Sequence, residues 1–142
     1  MKKCSDVMSE NLVYSSPEDT VSHVAQLMKK EDIGPVLIVD NEDSKRLVGI
    51  VTDRDLALKV VAEGRDPQTT KVEEVMTRKV ITCRADDDVE NAMKAMAQYL
   101  LRRIPVVDKD GRLVGIISQA DVATRVGEPE RTAEVVREIS ES

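Results

Sequence analysis

The chain has 142 residues and a formal net charge of −6, with 21 basic and 27 acidic side chains mixed along its length. This balance argues against a nucleic-acid-binding domain, which has a pI above about 9 or a basic stripe. No apolar run approaches the roughly 18 residues of a membrane span and the N-terminus lacks a signal peptide's apolar stretch, so we expect a cytoplasmic protein without nucleic-acid or membrane partners.

The second half of the chain repeats the first. Residues 3–40 align with residues 71–108 at a constant offset of 68, and a two-residue deletion in the next turn changes the offset to 66. Two copies of about 60 residues favour a pseudo-dimer with two equivalent clefts, because repeat arrays need about three or more short units. We predict one domain over 7–66, a second over 74–126 and a helical tail over 127–142.

The first copy has the pattern of a strand, a helix, two further strands and a second helix. Ser16 is a good N-cap and Pro17 a good first helical residue, so this pair predicts where the first helix begins. Apolar side chains then recur at i, i+3, i+4 and i+7, which gives that helix one apolar face. The predicted elements are a strand over 12–14, a helix from Pro17 to the break at Gly34-Pro35, a buried strand over 36–39, a strand over 47–51 and a helix from Thr52-Asp53 to Gly64.

The second copy follows the same order. Its predicted elements are a strand over 80–82, a helix that begins near Asp86 and carries Val89, Ala92, Met93 and Met96 on its apolar face, a strand over 104–107, a turn at Asp110-Gly111 and a strand over 113–117. The linker between the copies, residues 64–70, is short, so we expect the copies to pack against each other through their sheets.

Cys4 and Cys83 are the only cysteines, and His23 is the only histidine. Two thiols without Cys-x-x-Cys or Cys/His spacing indicate ordinary reduced cysteines in a reducing compartment. The alternative is a redox pair or part of a metal site, although two cysteines and one histidine fall short of the four ligands of a closed zinc site. His23 lies off the apolar stripe of its helix, so we expect a solvated side chain.

The sequence contains no pattern that indicates catalysis. It lacks a Ser-His-Asp set, a Gly-x-x-x-x-Gly-Lys loop, a Gly-x-Gly-x-x-Gly loop and a metal-ligand cluster. The run Asp86-Asp87-Asp88 is acidic, but its place at a helix N-terminus favours an interaction with the helix dipole. We therefore predict that the protein is not an enzyme and has no catalytic residues.

One junction between a buried strand and a helix occurs in both copies. In the first copy Asp55 follows Thr52 by three positions, and in the second copy Asp121 follows Ser118 by three. Each pair has the composition of an N-cap with an acidic N3 residue, a variant of the capping box. Each also suits a nucleotide, because backbone N–H groups at a helix start favour phosphate and an Asp can accept two hydrogen bonds from a ribose diol. The sequence leaves both interpretations open.

These junctions and two further repeated motifs resemble a tandem pair of CBS domains, the adenosine-sensing unit also called a Bateman module. The further motifs are Val7-Met8 with Val75-Met76, and Leu37-Ile38-Val39-Asp40 with Ile104-Pro105-Val106-Val107-Asp108. The resemblance covers residues 1 to about 126 and extends to stand-alone bacterial CBS pairs, including the hypoxia-response type. It implies an α/β (α+β) fold of two pseudo-symmetric β-α-β-β-α repeats.

The resemblance also implies ligand-binding roles. One complete site would combine Ser118, Asp121, Arg102, Arg103, Ser16, Ile33 and Gly34. In that site Asp121 holds the ribose, Ser118 contacts phosphate or ribose, and the pair Arg102-Arg103 holds phosphate, while the other three residues close the cleft around the adenine. A mirror site would use Thr52, Asp55, Thr82 and Leu101. Gly34-Pro35 replaces the basic pair there, so we expect one phosphate-binding site per chain.

The ligand that the resemblance implies is an adenine nucleotide, with AMP first, ATP, ADP, S-adenosylmethionine or NAD as alternatives, and no metal. We also expect a homodimer through the helices that carry Met28 and Met96, because exposed apolar stripes on these helices would need a cover. The alternative function is a structural, redox-sensing or metal-sensing interaction protein that binds no nucleotide and uses Cys4 and Cys83.

Overall fold

The computed structural model describes residues 2–126, which form two compact units. The contiguous unit consists of residues 13–80, and the split unit consists of residues 2–12 together with 81–126. Each unit contains a three-stranded sheet with helices, so the predicted mixed α/β class is confirmed. The predicted C-terminal helix lies outside the described residues.

Each copy has the predicted order of strand, helix, strand, strand and helix. Within residues 2–126 the elements are α1 (Cys4–Val7), β1 (Tyr14–Ser15), α2 (Val21–Glu31), β2 (Val36–Val39), β3 (Leu47–Val51), α3 (Asp53–Leu56), a 3-10 turn (Val72–Glu74), β4 (Cys83–Arg84), α4 (Val89–Gln98), β5 (Arg103–Val107), β6 (Leu113–Ser118) and α5 (Gln119–Asp121). A π-helical turn extends α3 over Ala57–Val61, and another extends α5 over Val122–Val126. α1 and the 3-10 turn precede the two copies at equivalent positions and were not predicted.

The sheets have the strand orders β1-β2-β3 and β4-β5-β6, with the first strand parallel and the third antiparallel to the central one. The central strand β2 is buried at every position, as its unbroken apolar run predicts. β1 and β4 start later than the predicted strands over 12–14 and 80–82. β1 pairs only with Leu37 and Ile38 of β2, so residues 12 and 13 lie outside the sheet.

α2 begins later than predicted, because a different hydroxyl residue caps it. Thr20 is the N-cap, and its Oγ1 accepts a hydrogen bond from the N–H of His23 at 3.2 Å. Ser16 instead donates its backbone N–H to Oδ2 of Asp19 at 2.9 Å, so Ser16 and Pro17 belong to a turn and not to the helix. The prediction of Ser16 as the N-cap is therefore wrong. The side chain of His23 is about half exposed, as expected.

The segment that precedes each copy packs in the unit built from the other copy. Ser9 and Ile116 exchange two backbone hydrogen bonds, at 2.8 and 2.9 Å, in the split unit. Thr77 and Ile50 exchange two such bonds, both at 2.9 Å, in the contiguous unit. The compact units therefore cross the repeat boundaries of the sequence, since each takes its edge segment from the neighbouring repeat.

Each of these segments places a methionine against a glycine in the middle of a strand. A Cβ built on Gly115 would lie 2.7 Å from Cγ and 2.9 Å from Cβ of Met8. A Cβ built on Gly49 would lie 2.9 Å from Sδ of Met76 and 3.0 Å from the carbonyl oxygen of Thr77. Only a residue without a Cβ fits this close approach, which explains the repeated glycine.

Each unit has its own aliphatic core. Ala92, Met93 and Met96 of α4 are buried in the core of the split unit, which confirms the predicted apolar face. Met96 is fully buried, so the apolar stripe expected to be exposed on α4 does not include this side chain, and the dimer through these helices stays a prediction. The helix is short enough for one core to cover its apolar face. Within residues 2–126 no helix has the length and apolar character needed to cross a membrane.

We expect Gly115→Ala to lower the free energy of unfolding by about 1–3 kcal/mol, because the added methyl group overpacks the contact with Met8. Urea denaturation followed by circular dichroism measures the change. Gly34→Ala is the matched control, since its Cβ would lie 3.4 Å from the nearest carboxylate oxygens of Asp53. That control should shift the value by less than about 0.5 kcal/mol, and equal losses in the two variants would contradict the close packing.

Candidate functional site

The repeated junction forms a reciprocal cap in the split unit. Ser118 is the N-cap of α5, and its Oγ accepts the N–H of Asp121 at 3.2 Å. Oδ2 of Asp121 accepts the N–H of Ser118 at 2.9 Å and the hydroxyl of Ser118 at 3.0 Å. The capping interpretation is therefore confirmed. It fixes the hydroxyl and the carboxylate side by side at the end of β6.

The contiguous unit has the same cap, and Lys59 lies beside it. Thr52 Oγ1 accepts the N–H of Asp55 at 3.2 Å, and Asp55 Oδ2 accepts the N–H of Thr52 at 2.9 Å. Lys59 places its ammonium 3.1 Å from Oδ1 of Asp55 and donates to the carbonyl oxygen of Val75 at 3.0 Å. The carboxylate of Asp55 is thus already paired with a cation.

The basic pair lies beside the junction of the split unit. Arg103 is directly opposite Ser118 in the β5–β6 pairing, and the carbonyl oxygen of Arg102 accepts the N–H of Gln119 at 3.1 Å. Both arginine side chains are exposed. Among residues 2–126 neither guanidinium takes part in an ion pair. Two cationic groups therefore flank a hydroxyl and a carboxylate at one end of one sheet.

Leu101 and Ile33 occupy equivalent positions after the first helix of each copy. Leu101 donates its N–H to the carbonyl oxygen of Met96 at 2.8 Å, and Ile33 donates to that of Met28 at 3.1 Å. The preceding residue in each case, Leu100 or Asp32, has a positive φ of 57° or 54°. This left-handed residue ends the helix and turns the chain toward the amino end of the central strand.

Each unit brings together a group that differs from the sets implied by the resemblance, because Leu101 lies with the arginine pair, and Ile33 and Gly34 lie with Thr52. Leu101, Arg102, Arg103, Ser118 and Asp121 come together in the split unit. Ile33, Gly34, Thr52 and Asp55 come together in the contiguous unit, where the N–H of Asp53 donates to the carbonyl oxygen of Gly34 at 3.1 Å.

Ser16 does not belong to either group. β1 runs parallel to β2 with Ser15 beside Ile38, so Ser16 follows β1 at the carboxyl end of the sheet. Ile33 and Gly34 precede β2 and lie at its amino end. The contiguous unit therefore separates Ser16 from the two residues with which the resemblance grouped it.

Thr82 directly precedes β4, whose residue Cys83 pairs with Val106, so Thr82 lies toward the end of the sheet that carries Arg103. At the offset of 68, the equivalent residue of the first copy is Tyr14, not Ser16. Tyr14 therefore holds in the first copy the position that Thr82 holds in the second.

A cavity of about 450 Å³ lies at the carboxyl end of β1 and β2 in the contiguous unit. Its lining residues are Tyr14, Ser15, Ser16, Glu18, Asp19, Val39, Asp40, Asn41 and Glu42. Burial raises the pKa of Asp19, but hydrogen bonds from Ser15 and Ser16 outweigh it and lower that pKa. A hydrogen bond from Ser44 lowers the pKa of Asp40. Ionised carboxylates make this cavity unfavourable for a phosphate.

No three His, Cys, Asp or Glu side chains in the described part of the chain converge in a way that could hold a metal ion. Cys4 and Cys83, however, come together in the core of the split unit, and both are free thiols.

Comparison with known proteins places this architecture in a family. The CBS domain family matches residues 4–62 and 72–128 of the chain. A CBS domain-containing protein of Bacillus subtilis, YhcV, is 35% identical over 140 residues, which cover 99% of this chain and 96% of that protein. Hypoxic response protein 1 of Mycobacterium tuberculosis is 32% identical over 128 residues, covering 90% of this chain and 87% of that protein. An uncharacterised protein of Methanopyrus kandleri is 36% identical over 117 residues, but this chain spans only 59% of its length.

Solved structures agree with this match. The crystal structure of Hypoxic Response Protein I, which contains two coordinated zinc ions, has a TM-score of 0.74 at 32% identity and covers 86% of this chain and 97% of that chain. CBSX2 in complex with AMP has a TM-score of 0.70 at 26% identity, covering 96% and 99%. The CBS domain pair of protein MJ0100, in complex with 5-methylthioadenosine and S-adenosyl-L-methionine, has a TM-score of 0.70 at 30% identity, covering 89% and 97%. The chain therefore belongs to the CBS domain family and carries two CBS domains in tandem.

Proposed function

We propose that this chain is a cytoplasmic regulatory module, not an enzyme, that binds an adenine nucleotide of the AMP, ADP or ATP class in the split unit. The observation that carries the proposal is the position of Arg102 and Arg103 beside the Ser118–Asp121 cap. A ligand bound there would signal by its differential affinity for two states of the protein or of a partner.

The chemistry of the group matches the parts of a nucleotide. A guanidinium binds phosphate oxygens through paired N–H donors, which suits Arg102 and Arg103 to the phosphate end. A carboxylate has about four acceptor positions and can accept hydrogen bonds from two vicinal hydroxyls, which suits Asp121 to the ribose. Leu101, which precedes β5 and lies next to Arg102, supplies an apolar contact for the adenine base.

The relatives support an adenosine ligand, and the basic pair favours one with a phosphate. Similar structures hold AMP in one case and 5-methylthioadenosine with S-adenosyl-L-methionine in another. The last two compounds carry no phosphate to pair with the guanidinium groups of Arg102 and Arg103. NAD carries phosphates and is the second choice after AMP, because the two arginines beside one cap match a single nucleoside phosphate.

The contiguous unit lacks the basic pair of this group, so we propose one strong site per chain. Gly34-Pro35 stands where the split unit has Arg102-Arg103.

We expect Asp121→Asn to weaken AMP binding about 10-fold or more, because a hydrogen bond to a charged group contributes about 1.5–3 kcal/mol. The amide keeps an acceptor oxygen for the N–H of Ser118, so the cap and the fold are retained. Isothermal titration calorimetry measures the affinity. Asp55→Asn is the matched control and should bind AMP like the wild type. Equal affinity of Asp121→Asn and wild type would contradict the ribose role.

We expect a stoichiometry near one AMP per chain, with an affinity that falls as salt is added. The Debye length shrinks from about 10 Å at 0.1 M to about 3 Å at 1 M ionic strength, which screens the attraction between exposed arginines and phosphate. Adenosine, which lacks the phosphate, should bind more weakly and with little salt dependence. Parallel salt responses of AMP and adenosine, or two equal sites per chain, would contradict the proposed role of the arginine pair.

We further propose that the module forms a homodimer whose interface includes apolar side chains other than Met96. Leu58 and Val61, on the helix after β3, are 49% and 77% exposed, and a second copy would remove them from water. Val61→Glu should therefore reduce the mass measured by light scattering from that of two chains to that of one. Gln26→Glu, an equal charge change at an exposed position of α2, should leave the mass unchanged. A wild-type mass of one chain would contradict the proposal.

A further inference from the structure

Two cysteines that lie far apart in the sequence meet in the core of the split unit. Cys4 belongs to α1 and is 0% exposed, and Cys83 belongs to β4 and is 6% exposed. Sγ of Cys4 donates to the carbonyl oxygen of Asp88 at 3.9 Å, and Sγ of Cys83 donates to that of Pro105 at 3.8 Å. Both side chains lie in the same core and each thiol shifts the pKa of the other, although the whole contiguous unit lies between them along the chain.

The backbone holds both positions in place. The N–H of Cys4 donates to the carbonyl oxygen of Asp87 at 2.8 Å, and that of Ser5 donates to Ala85 at 3.0 Å, so α1 is fixed against the turn after β4. Cys83 is fixed by its pairing with Val106 in the sheet. The proximity of the two thiols is therefore set by regular structure on both sides.

The two thiols are chemically unequal. The interaction with the Cys83 thiol lowers the pKa of Cys4, despite opposing contributions from burial and from the carboxylates of Asp87 and Asp88. The interaction with Cys4, together with burial, raises the pKa of Cys83 far above its usual value. Cys4 is thus the better nucleophile of the pair, and Cys83 retains its proton.

The fold itself does not require two thiols at these positions. In the contiguous unit the equivalent residues are Val72 and Ser15, which are 0% and 3% exposed. The backbone contacts are the same, since the N–H of Val72 donates to Asp19 at 2.9 Å and that of Glu73 donates to Pro17 at 3.1 Å. The dithiol is therefore a chemical difference between two equivalent cores.

We propose that Cys4 and Cys83 are a redox-active dithiol, which a small hydroperoxide oxidises to an intramolecular disulfide that fastens residues 2–12 to the split unit. The burial of both sulfurs excludes bulky oxidants such as protein disulfides. A small peroxide reaches the pair through a slight opening of α1, which is held at the surface by a few backbone hydrogen bonds.

The reaction balances in two steps. The thiolate of Cys4 attacks one oxygen of hydrogen peroxide, the O–O bond breaks, and a sulfenic acid forms on Cys4 while hydroxide leaves and is protonated to water. The sulfur of Cys83 then attacks the sulfur of Cys4, an S–S bond forms, and the sulfenic hydroxyl leaves with the proton of Cys83 as a second water. Two thiols lose two electrons, and the peroxide gains them.

The disulfide acts on the strand that leads to Ser118. Residues 2–12 include Ser9, which exchanges two backbone hydrogen bonds with Ile116 of β6. Without the disulfide this segment is held only by non-covalent contacts. Oxidation adds a covalent bond between the segment and β4, which restrains its position against β6. The oxidation can be tested without a nucleotide, because neither cysteine belongs to the residues proposed to contact the ligand.

The test treats the full-length protein with hydrogen peroxide and counts thiols after denaturation, alongside the intact mass and peptide mapping. We expect both thiols to be lost, the mass to fall by two hydrogen atoms, a peptide joining Cys4 to Cys83, and full recovery on reduction with dithiothreitol. Two titratable thiols after excess peroxide, or a disulfide between two chains instead, would overturn the proposal.

The contiguous unit supplies variants that suit the core. Cys83→Ser and Cys4→Val introduce the residues found at the equivalent positions of the contiguous unit. Asp87 is equivalent to Asp19, which accepts a hydrogen bond from the hydroxyl of Ser15, so it can accept one from the serine introduced at position 83. We expect dimedone to label Cys4 in peroxide-treated Cys83→Ser, and no sulfenic acid in Cys4→Val. Dimedone labelling of Cys83 in Cys4→Val, without labelling of Cys4 in Cys83→Ser, would overturn the assignment of Cys4 as the attacking thiol. The wild-type thiol count decides the proposal even where a variant is poorly folded.

Discussion

The contact between the N-terminal segment and β6 is the constraint on which the split unit depends. Met8 lies so close to Gly115 that no side chain fits on that residue, and Ser9 exchanges two hydrogen bonds with Ile116. This contact covers the β6 edge of the sheet and brings α1 against the turn after β4. It also fixes the direction of the strand that ends at Ser118. The same arrangement in the contiguous unit, with Met76 against Gly49, makes it a property of the repeat.

Ser118 and Asp121 can cap the helix and contact a ligand at the same time. Ser118 and Asp121 satisfy backbone N–H groups at the start of a short helix, which explains why a hydroxyl residue and an acid recur at this spacing. The same bonds hold both side chains in fixed rotamers, and a preorganised acceptor loses less entropy when a ligand binds. The two units share this cap, and they differ in charge because Arg102-Arg103 has no counterpart in Gly34-Pro35.

Sequence alone predicted the features that depend on local patterns. The buried strand over 36–39, the apolar face of α4 and the order of elements followed from apolar runs and their period. The start of α2 was mispredicted because Asp19 offered Ser16 a competing hydrogen bond, which composition does not reveal. The meeting of Cys4 and Cys83 and the separation of Ser16 from Gly34 depend on which segment joins which sheet. Long-range pairing of that kind leaves no signal in residue spacing.

The exchange of edge segments has a consequence for how such a gene can evolve. Each repeat encodes the segment that completes the other repeat's sheet, so a break in the linker over 64–70 divides both units. A gene fission there would yield two products that must find each other again to fold. The product of an ancestral gene with a single repeat would have needed the same edge segment. A second copy of that product could supply it by exchanging segments in a dimer. Fusion of two such genes places both segments in one chain, so two separate chains no longer need to meet. The two copies can then diverge in charge and in thiol content.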